Sequence, residues 1–338
     1  MGAFRFILWR TPVIDLKPIL AAARQAADLT RRVQQLHLTN SDKGENDPVT
    51  IADYGSQAIL CRAIAAAYPH DAVLAEEQGS QFASLVSDTQ RATVVKLVGD
   101  VLGESVSEAQ LIAWLDYGFG RDASRTWVID PIDGTKGFIA GRRYSIAVGV
   151  LDDGMPTAGV LASPGYPTSD NFGLLFYAQG SAAYVEAIRG GKPMRVAVSN
   201  RSKARELVVV ESVERAHAHL ELMARVYASA GIDKKQVEGI DSQDKYAMIA
   251  AGDADLYLRL PREAKPTHKS WDHAAGTAII RAAGGVVTDI DGSPLDFSQG
   301  AFLPNLGMIV SNGHIHDKMI DVVQTILAAQ QQDHPPAP

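Results

Sequence analysis

The stretch Trp127-Val-Ile-Asp130-Pro-Ile-Asp133-Gly-Thr135-Lys-Gly-Phe138 sets two carboxylates among strand-forming residues and then breaks into glycine. Thr126 to Ile129 has the β-branched and aromatic character of a strand entering the interior. An ionised aspartate at the end of such a strand is costly unless something pairs with it. Pro131 has no N–H for the ladder, so pairing is expected to stop there and let Asp130, the Ile132 carbonyl and Asp133 turn toward one point. Three hard oxygens in four residues suit Mg²⁺ better than a softer metal. Gly134 and Gly137 free the backbone to approach a ligand, and Thr135 to Phe138 can open a helix whose first N–H groups face an anion. Spacing alone leaves a second reading open, a tight turn with aspartate as its cap.

Further acids stand where side chains can reach a cleft. Glu76 follows the short strand Ala72 to Ala75, Asp272 opens a helix after Ser270-Trp271, and Asp53 sits at the start of a helix that Pro48-Val-Thr-Ile-Ala leads into. Glu76, Asp130, Asp133 and Asp272 can therefore converge, while a helix N-cap is the plain alternative for Asp272 and Asp53. Lys245 and Arg259 read on composition as surface charges, and His219, His268 and His273 as helix caps or water-facing side chains. Trp271 reads as packing beside the acids.

The elements that must position these residues follow from periodicity. Leu16, Ile19, Leu20, Ala23, Ala27 and Leu36 trace a long amphipathic helix, followed by a polar loop from Thr39 to Asp47. Ile59, Leu60, Ala63, Ile64 and Ala67 mark a second helix. Between Phe82 and Tyr117 the pattern predicts an insertion of two helices, interrupted near Gly99 and Gly103. After the central motif, Tyr144 to Leu151 and Thr157 to Ala162 form a hairpin, continued as a meander by 172–177, 182–188 and 194–198. From Leu207 onward, strands and helices alternate as in an α/β unit, ending in a helix from Ile315 to Ala329. Gln330 to Pro338 is polar and proline-rich, a disordered tail.

Length and charge narrow the function. A chain of 338 residues is long enough for two cores, taken here as 1–200 and 201–330, with 331–338 as tail. The net charge of −7 and the lack of a Lys/Arg stripe argue against a nucleic-acid polymer or an acidic membrane as partner. The single cysteine, Cys61, excludes an intramolecular disulfide and a cysteine metal cluster and sits on an apolar helix face as inert filler. The apolar run in Met1 to Arg10 lacks the pattern of a signal peptide, and no segment reaches the roughly 18 apolar residues of a membrane span. The expectation is a cytoplasmic protein, monomeric or dimeric, acting on a small molecule.

Four strings in order, Pro48-Val-Thr-Ile-Ala-Asp53, Ala75-Glu76-Glu77, Asp130-Pro-Ile-Asp133-Gly-Thr135-Lys-Gly-Phe138 and Trp271-Asp272-His-Ala-Ala-Gly276, closely resemble the lithium-sensitive, Mg²⁺-dependent phosphatases related to inositol monophosphatase. The resemblance runs from about residue 15 to 328 and implies a layered α/β (α+β) fold, a five-layer αβαβα sandwich. Within that superfamily, Val213-Glu-Arg-Ala-His217, Asp241-Ser242-Gln-Asp-Lys245-Tyr246 and Tyr257-Leu-Arg259-Leu-Pro261 resemble the 3′(2′),5′-bisphosphate nucleotidases. Asp47 and Ala216 depart from that pattern. The resemblance implies hydrolysis of the 3′-phosphate of adenosine 3′,5′-bisphosphate, with the 5′-phosphosulfate analogue as a further substrate. Glu76, Asp130, the Ile132 carbonyl, Asp133 and Asp272 would hold up to three Mg²⁺ ions. Asp53 would hydrogen-bond Thr135, and with Glu76 they would activate water. Gly134 and Thr135 N–H groups would receive the phosphate, and His217, Ser242, Lys245 and Arg259 the nucleotide. The rival readings are an inositol phosphate or fructose 1,6-bisphosphate phosphatase and a non-catalytic nucleotide sensor.

Overall fold

Helix α1 (Lys17–Thr39) carries most of the expected stripe, with Leu16 just before it and Ile19, Leu20, Ala23 and Ala27 buried, but Leu36 is 53% exposed. Leu36 shares a face with the buried Leu29 one heptad earlier but stands in the last turn of the helix, where the stripe leaves the core that Leu29 and Val33 fill. The computed structural model describes residues 14–39, 48–213, 220–261 and 268–333. The expected loop at 40–47, with Asp47, and the stretch holding Ala216, His217 and His219 lie outside them. Helix α2 (Pro48–Ala67) begins at a proline, which suits a position whose N–H has no helical partner, so Asp53 lies one turn in and is not an N-cap.

Strand β1 (Ala72–Ala75) leads to three helices where two were expected: α3 (Gly79–Leu85), α4 (Asp88–Leu102) and α5 (Glu108–Leu115). The cuts come from capping boxes, Ser87 with Gln90 and Ser107 with Gln110, and from Gly103, which closes α4 in a left-handed conformation. Gly99 stays inside α4. Then follow β2 (Arg125–Asp133), α6 (Thr135–Ile139), β3 (Ser145–Asp152), β4 (Met155–Ser163), β5 (Leu174–Gln179), β6 (Ala182–Ala187) and β7 (Met194–Val196). These seven strands form one sheet in chain order, β1 parallel to β2 and every later pair antiparallel.

The second half supplies β8 (Val209–Glu211), α7 (Leu220–Ala230), β9 (Val237–Gly239), α8 (Asp244–Ala251), β10 (Leu256–Arg259), β11 (His268–Lys269), α9 (Ala274–Ala282), β12 (Val286–Thr288), β13 (Phe302–Leu303), β14 (Met308–Ser311) and α10 (His316–Asp333). Five of the strands make a sheet ordered β12-β14-β10-β8-β9, and β11 pairs with β13. Helix α10 runs to Asp333, four residues into the stretch expected to be a disordered tail. Among the described residues no helix is long and apolar enough to cross a membrane.

Alternate residues of the large sheet separate two cores. Trp127, Ile129, Ile146, Val148 and Val150 face α1 and α2, whereas Val128, Ala147, Leu151, Leu161 and Phe176 face α8 and α9. A third core lies between the small sheet and α7 and α10. The order is therefore helices, large sheet, helices, small sheet, helices, which is the five-layer arrangement. Because both faces of β3 and β4 are covered, they read as continuous apolar runs.

Two glycines set the depth of the middle layer. Gly149 on β3 and Gly159 on β4 are cross-strand partners. A Cβ at Gly149 would lie 2.7 Å from Ala274 Cβ, and one at Gly159 would lie 2.5 Å from the Ala275 carbonyl oxygen. The first turn of α9 thus rests in a notch in the sheet, directly after Asp272. Gly159→Ala should lower the unfolding free energy by about 1–3 kcal/mol in urea titrations through overpacking. Gly191→Ala, where nothing lies within 4 Å, should change it by less than about 0.5 kcal/mol. Equal effects at the two positions would remove the notch from this account.

Candidate active site

Strand β2 does not end at Pro131. It runs on to Asp133, with Asp130 opposite Ala147 and Asp133 opposite Ser145, so that three steps on β2 match two on β3. A bulge accommodates the proline and turns Asp130 and Asp133 out of register, the re-aiming that an interruption of pairing had been expected to provide. The Ile132 N–H donates to Asp130 Oδ1 at 3.1 Å. Gly134 then adopts φ 91°, a conformation costly for any side chain, and a Cβ there would stand 2.9 Å from Ser242 Cβ. Helix α6 begins at Thr135, as anticipated.

Helix α2 holds two of the acid-bearing segments. Ser56 Oγ donates to the Pro131 carbonyl at 3.1 Å. The Gln57 carboxamide pairs with the backbone of Glu77, donating to its carbonyl at 2.6 Å and accepting from its N–H at 2.9 Å. Parallel pairing of β1 with β2 brings Glu76 beside Asp130, its N–H donating to the Ile129 carbonyl at 3.3 Å. Asp272 is not the cap of α9. His273 occupies that position, without a side-chain capping bond. His273 thus holds a cap position, one of its two expected places, but it is buried, with Nδ1 2.9 Å from the Tyr246 hydroxyl, and His268 is buried in β11, so neither faces water.

Glu76, Asp130, Ile132, Asp133, Gly134, Thr135, Ser242, Lys245, Arg259 and Asp272 all line one cleft of about 310 Å³, within the size range of small-molecule sites. Asp53 does not line it, although its charge reaches Asp130. His217 lies outside the described residues. The Thr135 hydroxyl donates to the Ile132 carbonyl at 3.3 Å. A hydroxyl has one proton to donate, so in this structure Thr135 does not also donate to Asp53.

The second half of the chain closes the cleft. Ser242 is buried at φ 72°, a left-handed conformation uncommon outside glycine; its Oγ accepts from the Asp244 N–H at 3.2 Å and lies 3.2 Å from the Ser145 hydroxyl, whose proton goes to Asp244 Oδ1 at 2.8 Å. Lys245 is buried, not a surface charge. Its Nζ donates to the carbonyls of Ile240 at 3.0 Å and Ser242 at 2.7 Å. Residues that sequence reasoning missed are Ser56, Gln57, Lys269 and Gln243. The first two were visible as polar residues within an apolar helix. Gln243 and Lys269 carried no such signal.

Burial raises the carboxyl of Glu76 to about 7, helped by the charges of Glu77 and Asp272. Asp133 is raised to about 7 by burial and then by Asp272, with Lys245 and the Gln243 N–H opposing. Burial, and then Glu76, Asp133, Asp272 and Asp53, push Asp130 well above its ordinary range. Asp272 is raised by burial, while Arg259, Lys269 and Lys245 oppose. Once all four acids are ionised, their negative charge exceeds by one what Arg259, Lys269 and Lys245 balance. The acids share the cleft without closing into a finished cage, since among the described residues no group of three His, Cys, Asp or Glu side chains is spaced to hold an ion. In donor chemistry the set fits a hard divalent cation: it is all oxygen, and its charge is in excess.

Residues 15–328 match the description of the inositol monophosphatase family. The chain is 34% identical over 343 residues to a 3′(2′),5′-bisphosphate nucleotidase of Oryza sativa, covering 93% of this chain and 95% of that one. It is 32% identical over 348 residues to 3′(2′),5′-bisphosphate nucleotidase 1 of Candida albicans, covering 92% and 95%. In fold it is similar to an inositol monophosphatase from Anabaena, with TM-score 0.57 and 23% identity over 94% of this chain and all of that one. An IMPase of Thermotoga maritima superposes with TM-score 0.59 at 21% identity, over 92% and 96%.

Glu76 and Asp133 tie stability to pH. Below about pH 4 both states hold these protons and the pair contributes nothing. Between about pH 4 and 7 the unfolded chain has released them while the native chain still binds them, so stability falls as pH rises, and above 7 the loss is complete. The urea midpoint measured in EDTA should therefore decline from pH 5 to 7.5 more steeply for the natural chain than for a Glu76→Gln, Asp133→Asn variant. Parallel profiles for the two proteins would contradict the assignment.

Proposed function

The chain belongs to the inositol monophosphatase family, and on that premise we propose that it is a Mg²⁺-dependent 3′(2′),5′-bisphosphate nucleotidase, converting adenosine 3′,5′-bisphosphate to AMP and phosphate. The observation that carries the reading is the meeting, in one cleft, of Glu76, Asp130, Asp133 and Asp272 with Lys245 and Arg259. The acids suit one phosphate with its ions, and the cations suit a second. The near full-length relatives named as bisphosphate nucleotidases support the choice of substrate.

Glu76, Asp130, the Ile132 carbonyl, Asp133 and Asp272 would hold divalent cations, up to three. Bound there, these ions supply Lewis-acid neutralisation of phosphoryl charge and lower the pKa of an attacking water. The chain itself does the rest. Backbone N–H groups at Gly134 and Thr135 meet the reacting phosphate. Glu76 and Thr135, with Asp53 behind them, hold and pass the proton of the water, which asks the Thr135 hydroxyl to turn from the Ile132 carbonyl. Ser242, Lys245 and Arg259, with His217, hold the nucleotide and its second phosphate. A cytoplasmic location goes with this reading, supported by a single cysteine that is buried and whose thiol is pushed up to about 12.

One observation favours the rival reading, a phosphatase of inositol or sugar phosphates. Two of the three N–H groups of Lys245 are already taken by backbone carbonyls, leaving Arg259 the larger share of a second phosphate. A phosphate-release assay over nucleotide and inositol phosphates separates the two. The nucleotidase reading expects kcat/KM to favour adenosine 3′,5′-bisphosphate over inositol 1-phosphate. Arg259→Ala should cut the first roughly tenfold to a hundredfold, the weight of a charge-assisted contact, and the second far less. A natural enzyme that prefers the inositol ester, or equal losses on both substrates, would transfer the assignment to the rival.

A further inference from the structure

Gln243 is 1% exposed at the wall of the cleft, and it meets both halves of the acid cluster. Its N–H donates to Asp133 Oδ2. Its Nε2 donates to the carbonyl of Trp271, the residue before Asp272, at 3.0 Å, and its Oε1 accepts from the Gly276 N–H, in the first turn of α9, at 3.1 Å. Its own carbonyl accepts from the N–H groups of Tyr246 at 2.9 Å and Ala247 at 3.2 Å, opening α8. One residue thus spans the end of β2, the start of α8 and the turn that carries Asp272.

The chemistry of the side chain is what this position needs. A carboxamide offers a donor and an acceptor at one end and carries no charge. A glutamate would lose the donor to Trp271 and add another negative charge beside acids that already repel. A shorter asparagine would not reach both Trp271 and Gly276. The Gly276 N–H is one of the helix-opening groups without an intrahelical partner. Gly276 lies tight against Tyr246, where a Cβ would stand 2.4 Å from the ring, so α9 has no slack on that side.

We infer that Gln243 is a positioning residue that sets the spacing between Asp133 and Asp272 and so governs the affinity of the cleft for divalent cations. This rests on the metal reading above. It acts through Asp133 and the Trp271-Asp272 turn, not on substrate. Loss of such an outer partner typically lowers metal affinity about 10- to 100-fold.

The test is Mn²⁺ binding without substrate, followed by the electron paramagnetic resonance signal of the free ion, for the natural chain and for Gln243→Met, which keeps length and removes both side-chain bonds. The dissociation constant should rise roughly 10- to 100-fold, while kcat at saturating Mg²⁺ falls less and the melting temperature in EDTA stays close to that of the natural chain. A change in affinity smaller than about fivefold, well under the expected loss, overturns the inference. So does a shift that merely follows a lower melting temperature in EDTA. If the natural chain binds no Mn²⁺, the metal reading fails first and takes this inference with it. If Gln243→Met does not fold, the natural chain decides by amide hydrogen exchange: Mg²⁺ should slow exchange at Gly276 and Gln243 more than at Met308 in the small sheet, and equal change at all three sites overturns the assignment.

Discussion

Four carboxylates in one buried cleft repel one another, and the rest of the structure is arranged to hold them there. At an effective dielectric near 20, two like charges about 5 Å apart cost roughly 3 kcal/mol, so a cluster of this kind does not assemble through its own contacts. The groups that hold it are neutral. Ser56 and Gln57 fix the backbone around Pro131 and Glu77 from α2, Gln243 joins Asp133 to the Trp271 turn, and the Gly149–Gly159 notch lets α9 come down onto the sheet. None of these adds charge, so the excess stays available to a ligand.

The layers divide the work. The large sheet and α2 supply Glu76, Asp130 and Asp133, close to one another because β1 and β2 are parallel neighbours and β2 is bulged. The second half supplies Asp272 together with Lys245 and Arg259, whose charges moderate Asp133 and Asp272. The cleft is therefore defined only when the middle layer of α8 and α9 is packed against both sheets, and that packing forms a single continuous core from Val128 to Val310.

Much of this was legible in the sequence, for a physical reason. A strand ending in two aspartates and glycines announces a turn that must face something, and apolar runs bounded by turn residues mark buried strands well. What failed was local reasoning where tertiary contacts decide. Pro131 suggested the end of a strand, but a bulge absorbs it. Asp53 and Asp272 had N-cap sequence positions, but one lies inside α2 and the other precedes His273. Lys245 looked like a surface charge because nothing local shows that the Ile240 and Ser242 carbonyls fold back onto it. Ser87 and Ser107 were readable as capping boxes, and their omission merged α3 to α5 into two helices. Gln57 and Gln243 join segments far apart in the chain, and no periodicity reports that.

The central claim is that carboxyls held partly protonated by burial and mutual repulsion become carboxylates when a divalent cation binds. Calorimetric titration with Mg²⁺ at pH 7 in two buffers of different ionisation enthalpy measures the protons released. Because Glu76 and Asp133 lie near 7 and Asp130 is held well above its ordinary range, binding should release about one proton or more per chain at pH 7 and fewer at pH 9. Binding that releases no protons at pH 7, or no binding at all, would contradict the account.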